Sequence, residues 1–198
     1  MSSLKMYNFD PQPKGLKLPE GFKIVKFTDE SEISEWVDIC KDGLISAENG
    51  EKTFRRELME LEGPDPYRDT YFIATDAGEK IATITVVPDM WHSGMGYIHM
   101  VACKDEYKGR GLGKFMADFA LQKFVEMGKK KTFLLTGESR LAALSTYIKA
   151  GYLPVNYIDD KGLDMIDRWQ GVVNALKLES LQLLDNEGNP FMVLHCEA

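Results

Sequence analysis

Four features of this chain have residue types and spacing that could carry chemistry. They are a histidine on a short apolar run, a cysteine four positions later, a glycine-rich basic turn, and a tyrosine on a downstream helix. His99 and Cys103 belong to Tyr97-Ile98-His99-Met100-Val101-Ala102-Cys103, which reads as a buried strand. After a charged link comes Lys108-Gly109-Arg110-Gly111-Leu112-Gly113-Lys114. An amphipathic run to Met127 follows, with Leu112, Phe115, Met116, Phe119, Val125 and Met127 at helical intervals and Gly128 as the stop. A strand feeding a glycine-rich turn that opens a helix is a device for holding phosphate. The first helical N–H groups have no partner inside the helix, and the dipole there favours negative charge. Glycine lets the backbone approach the ligand, and Lys108, Arg110 and Lys114 add positive charge around it.

Spacing selects among phosphate loops. A Walker loop would need glycine at Lys108 and a hydroxyl at Phe115, so it fails twice. The dinucleotide fingerprint would need its third glycine at Lys114, and it fails too. The stretch resembles the loop of the GNAT superfamily of acyl-coenzyme A N-acyltransferases, whose Arg/Gln-x-x-Gly-x-Gly/Ala pattern reads here Lys108-x-x-Gly111-x-Gly113 after Glu106-Tyr107. Lysine stands in for the usual arginine or glutamine. A second landmark follows Thr132-Phe133-Leu134-Leu135-Thr136, an apolar strand. A helix from about Arg140 to Ala150 ends Tyr147-Ile148-Lys149-Ala150-Gly151-Tyr152, similar to the family's Leu-Tyr-x-Lys-x-Gly-Phe phrase, with Thr146 for leucine and Tyr152 for phenylalanine.

The resemblance implies acetyl-coenzyme A as co-substrate. Val101 and Cys103 would bond its pantetheine arm through their main chain, and the amides of Gly109, Arg110, Gly111, Leu112, Gly113 and Lys114 would hold its pyrophosphate beside Lys108. Arg140 stands where many relatives place an asparagine that supports the coenzyme. Tyr147 occupies the position of the tyrosine that protonates the leaving thiolate. A free phenol titrates at about 10 and a thiol at about 8.5, so that transfer needs help from the site. The implied reaction is direct acetyl transfer to a primary amine of a small molecule or peptide in a ternary complex. The acceptor is an ammonium of pKa about 10.4 that must first lose a proton, and His99, at about 6.5, is the candidate base. By the period of two it shares a strand face with Tyr97, Val101 and Cys103. Packing in the core is the competing role for both His99 and Tyr147; Glu138, Tyr97 and His92 are the other candidate bases. Cys103 could in principle carry an acyl group, but a thiol in an apolar strand without an activating partner is inert. An acyl-coenzyme A sensor without transferase activity, or an interaction domain that no longer binds the coenzyme, are the rival readings.

The elements that must position these residues follow from pattern. Residues 1–20, with Pro11, Pro13 and Pro19, read as an irregular lead-in. Phe22–Phe27 reads as a strand, and one helix carries Ile33, Trp36, Val37 and Cys40. A second helix runs Glu51–Leu61 up to Gly63-Pro64. Thr70–Thr75 and Lys80–Val87 flank a glycine turn as a hairpin. The segment 89–96 brings Trp91 and His92 either to the acceptor pocket or to an exposed hairpin tip. Beyond Gly151 come a strand within 152–157, a helix Asp164–Leu176, and a hairpin of Leu178–Leu184 and Phe191–Cys196. The expected architecture is a single mixed α/β domain over residues 1–198. A central twisted sheet carries helices on both faces, and residues 158–198 form an extension packed on the same domain.

Composition sets the outer bounds. The 198 residues suffice for a core, and a net charge of −7 argues against a nucleic-acid or anionic-membrane binder. Three widely spaced cysteines with no CxxC suggest reduced thiols, a cytoplasmic setting and no metal knuckle. No run of about 18 apolar residues could span a bilayer. Homodimerisation through the C-terminal hairpin stays open.

Overall fold

The computed structural model describes residues 3–197; residues 1, 2 and 198, at the ends of the expected lead-in and extension, lie outside the described residues. In chain order the elements are β1 (Leu4–Asn8), β2 (Phe22–Lys26), α1 (Ile33–Cys40), α2 (Gly50–Arg55), α3 (Pro66–Asp69), β3 (Thr70–Thr75), β4 (Lys80–Val87), β5 (Gly96–Cys103), α4 (Leu112–Glu126), β6 (Thr132–Thr136), α5 (Leu141–Lys149), β7 (Leu153–Val155), α6 (Ile166–Leu176), β8 (Ser180–Leu184) and β9 (Pro190–His195). The strands form one nine-stranded sheet ordered β2-β3-β4-β5-β6-β1-β7-β8-β9. Neighbours run antiparallel except β5–β6 and β7–β8, which are parallel. The fold is therefore the expected mixed α/β sheet. No helix among the described residues is long and apolar enough to cross a membrane.

Each face of the sheet has its own core. Met116, Leu121 and Phe124 of α4 and Trp169 of α6 pack on Val86, Ile98 and Leu134. On the opposite face, Trp36 of α1 and Phe54 of α2 pack on Phe27 and Phe72. Tyr152, where the resembled phrase has phenylalanine, is fully buried, and its hydroxyl accepts a hydrogen bond from Thr132 at 3.0 Å. The substitution therefore leaves no orphaned polar group.

The expected irregular lead-in is corrected by β1. Leu4 and Met6 are fully buried, while Lys5 and Tyr7 point to the other face. The strand fills the gap between β6 and β7, with Leu4 opposite Thr136 and Lys5 opposite Val155. Burial of Leu4 and Met6 contributes about 1.5–3 kcal/mol each. The chain then crosses α4, where the buried carboxylate of Asp118 accepts the Lys14 and Leu16 N–H groups at 2.5 and 2.7 Å.

Two irregularities of β5 shape the centre of the molecule. Its pairing with β6 covers only Gly96, Tyr97 and Ile98, and beyond Ile98 the two strands part. On its other edge, Ala102 and Cys103 pair with Thr83 and Ala82, and His99 pairs with Thr85, so Met100 and Val101 together face Ile84. This is a β-bulge, and Met100 takes a left-handed φ of 48° in it.

Candidate functional site

The bulge resets which way the side chains of β5 point. Val101 and Cys103 pack with the α4-side core, where Ile98 also points, whereas Met100 and Ala102 join the α1–α2 side. The expectation that His99 shares a face with Val101 and Cys103 is corrected accordingly. One inserted residue reverses the alternation, so His99 lies on the α2 face and the other two on the α4 face. The main chain keeps its own alternation. The Lys104 N–H bonds Ile81 O of β4 at 2.9 Å, so the amides of Cys103 and Val101 turn the other way, into the split left by β6.

That split opens into a cleft of about 460 Å³ on the α4 face. Val101 and Cys103 line one wall, residues 108–114 except Arg110 line the base, and Tyr147 of α5 closes the far side. Gly109 and Gly111 have φ of 79° and 82°, the left-handed geometry that glycine adopts without cost, and Gly111 caps α4. The first amide to bond backward along the helix is that of Phe115, to Gly111 O at 3.1 Å. The N–H groups before it have no intrahelical partner. Leu112 buries its side chain and contributes its backbone.

The basic side chains behave differently from one another. Lys108 is paired with Asp105, and Lys114 is exposed at the cleft edge. Arg110 lies outside the lining, its guanidinium 5.0 Å from the Tyr107 ring centroid. Arg140 also lies outside the cleft and donates to Gly43 O at 3.3 Å, tying the start of α5 to the α1–α2 loop.

Tyr147 is 8% exposed. Burial pushes its phenol up to about 12, while the positive charge of Arg140 pulls the other way. Burial also pushes up the Cys103 thiol in the same cleft, so the site disfavours sulfur anions as well as phenolate.

On the opposite face, His99 is 8% exposed, and its Nε2 makes no hydrogen bond among the described residues. It stands 3.4 Å from Glu57 Oε2, within ion-pair distance but off hydrogen-bonding geometry. Glu57 is the residue that sequence reasoning missed. It lies in a π-helical turn, Arg56–Glu60, that continues α2. Such turns often mark functional positions, but a spacing pattern does not show them. His99, with Arg56 adding to it, holds the Glu57 carboxyl down to about 2 against the opposing effect of burial. Tyr97 stacks on His99 with ring centroids 4.9 Å apart. Its own phenol is pushed up first by burial and then by the charges of Glu57 and Tyr147. The other candidate bases lie elsewhere: Glu138 is paired with Arg168 of α6, and His92 sits in an exposed pair with Glu62 at 2.7 Å.

A sheet parted beside a glycine-capped helix N-terminus is a local geometry, and residues 32–152, which contain all of it, match the model of the Acetyltransferase (GNAT) family. The chain belongs to the GNAT acetyltransferase family. A curated relative, the mycothiol acetyltransferase of Geodermatophilus obscurus, is 25% identical over 150 residues, covering 72% of this chain and 48% of its own length. This chain thus spans about half the length of the curated relative it matches. Among solved structures, a GCN5-related N-acetyltransferase from Sphaerobacter thermophilus has a TM-score of 0.59 at 18% identity, covering 78% of this chain and 49% of that one. A GNAT-family acetyltransferase from Colwellia psychrerythraea has a TM-score of 0.58 at 13% identity, covering 78% and 53%. At these identities the likeness is one of fold.

Proposed function

We propose that this chain transfers an acetyl group from acetyl-coenzyme A to a primary amine, directly and within a ternary complex. The observation that carries the reading is the parted β5–β6 pair, which opens a cleft lined by Val101, Cys103, Tyr147 and the unpaired amides at the start of α4. The residues present fit the coenzyme. Val101 and Cys103 offer strand-like backbone bonds to an amide-bearing arm, and residues 109–114 offer N–H donors to a diphosphate. The bound thioester supplies an already activated acyl group. The chain's own task is therefore to position the amine and to stabilise charge as it develops.

Each residue then has a defined task. The Val101 N–H, turned into the split, is available to the carbonyl oxygen as it gains charge. Tyr147 donates its proton to the departing sulfur. With the phenol at about 12 and a free thiol at about 8.5, full transfer is uphill by about 5 kcal/mol on these values. Burial raises the basicity of sulfur in the same cleft and narrows that gap, and the proton moves as the carbon–sulfur bond breaks. On the other face, Glu57, a carboxylate at neutral pH, attracts the incoming ammonium, and His99 in its neutral form accepts the proton at Nε2, becoming the cation that Glu57 then faces. Cys103, with its thiol pushed up and no activating base, has no covalent role.

The experiment is to follow thiol release from acetyl-coenzyme A with a panel of amines, alongside calorimetric titration of coenzyme A. Coenzyme binding with amine-dependent thiol release is the expected result. Tight binding without release on any amine would replace the enzyme with a sensor.

A further inference from the structure

On the α2 face, the sheet beyond His99 is open along β6, β1 and β7. There a trough of about 390 Å³, in the size range of small-molecule sites, is lined chiefly by Lys5, Tyr7, Trp91, Phe133, Leu135 and Tyr157. Four of these are aromatic. Two contacts tie the trough wall to the reacting centre. The Phe133 ring stacks on Tyr97 with centroids 4.5 Å apart, and Tyr97 stacks on His99. Leu135 is the first β6 residue past the last β5 pairing, Ile98 with Leu134, so it stands at the mouth of the split. Behind the Tyr97 ring, outside the trough lining, lies the buried Nε2 of His99, 3.4 Å from Glu57 Oε2.

We propose that this trough is the acceptor subsite, and that the amine it takes is carried on a flat apolar body with an acidic group at the far end. The inference rests on the acetyl-transfer reading of the split. Trp91 forms the outer wall, 6.0 Å from Phe133 between ring centroids and half exposed. It and His92 are consecutive non-glycine residues with left-handed φ of 53° and 52°, strain that a surface loop with no task would relax. Lys5 is the one charged residue of the lining. Its ammonium lies 4.9 Å from the Tyr157 ring centroid and donates to Asn186 Oδ1 at 3.0 Å, and no carboxylate among the described residues is paired with it. A cation beside aromatic walls repels a polyamine and attracts a carboxylate. The carboxylate of Glu57, beyond the Tyr97 ring and outside the lining, attracts the ammonium. The two charges therefore fix the direction in which the acceptor lies.

The three tryptophans make the test selective. Trp36 and Trp169 are fully buried and Trp91 is half exposed, so acrylamide quenching of tryptophan fluorescence reports Trp91. With coenzyme A present, the protein is titrated with 4-(2-aminoethyl)benzoate, phenethylamine and spermidine. The benzoate should shield Trp91 and bind at least about tenfold tighter than phenethylamine, a step of about 1.4 kcal/mol, with no shielding by spermidine. Lys5→Met should erase the preference for the carboxylate while phenethylamine still shields. Spermidine shielding as well as the benzoate, or no shielding by either aromatic amine, would overturn the assignment. Shielding with the expected preference but no acetylation of any amine would retain the subsite and remove the transferase reading. Acetylation of propylamine with no shielding by the aromatic amines would do the reverse.

Discussion

On the α4 side of β5 the polar groups the cleft offers a ligand come chiefly from main chain, namely the amides of Val101 and Cys103 and the glycine turn before α4. On the α2 side the surface is made of side chains drawn from β1, β5, β6, a loop and a π turn: Lys5, Tyr7, Trp91, Phe133, His99 and Glu57. The first half-site suits a partner that does not vary and is gripped by backbone donors, which any side chains can flank. The second can change its chemistry one residue at a time without disturbing the sheet. A fold divided in this way can keep its donor and exchange its acceptor.

The sharpest way to break this division is at Tyr147, the side chain on the α4 side that has a chemical task. Tyr147→Phe should lower kcat by about 10²–10³ with the coenzyme dissociation constant unchanged, as checked by steady-state kinetics and calorimetry. An unchanged kcat would return Tyr147 to ordinary packing. Next in size is Gly113→Ala. An added Cβ there meets no protein atom within 4 Å, and the residue lies inside the helix, so the melting temperature should not fall. A bound diphosphate would meet that methyl group, and coenzyme affinity should weaken by about tenfold or more, about 1.4 kcal/mol. A melting curve beside a titration separates the two effects.

The smallest effect expected is at Glu57. Its carboxyl titrates at about 2 in the folded chain against an ordinary 4.5. A depressed acid adds stability that is complete above the ordinary value and is lost as pH falls towards the folded one. Glu57→Gln should therefore remove about 1 kcal/mol of the stability lost between about pH 4.5 and 2, allowing for solvent screening of a partly exposed carboxylate. Urea unfolding of both proteins across that range measures it. The same variant should lower kcat/KM for amines with coenzyme affinity unchanged, since Glu57 serves only the acceptor side.

The same division explains what could be read in the sequence. The strands at Thr70–Thr75, Lys80–Val87 and Thr132–Thr136 lie where their patterns place them, because alternation or an apolar run is a local signal. The glycine turn was legible for the same reason, since positive φ and backbone approach leave glycines in the chain at fixed intervals. β1 was hidden because Leu4–Asn8 is short and followed by prolines, and it is held by partners at 132–136 and 153–155 that no local window contains. The bulge at Met100 left no glycine to mark it, and with it went the true facing of His99. Glu57 sits in a π turn that reads as ordinary helix. The trough, assembled from four separate stretches of chain, has no local pattern at all.

The central claim is that free amides around the β5–β6 split and the start of α4 grip a nucleotide thioester. The most direct test is an amide-resolved NMR titration with coenzyme A. The largest shifts should fall on residues 109–114 and on Val101 and Cys103, with the amides of β8 and β9 unmoved. Shifts concentrated elsewhere, with the glycine amides unchanged at saturation, would contradict it.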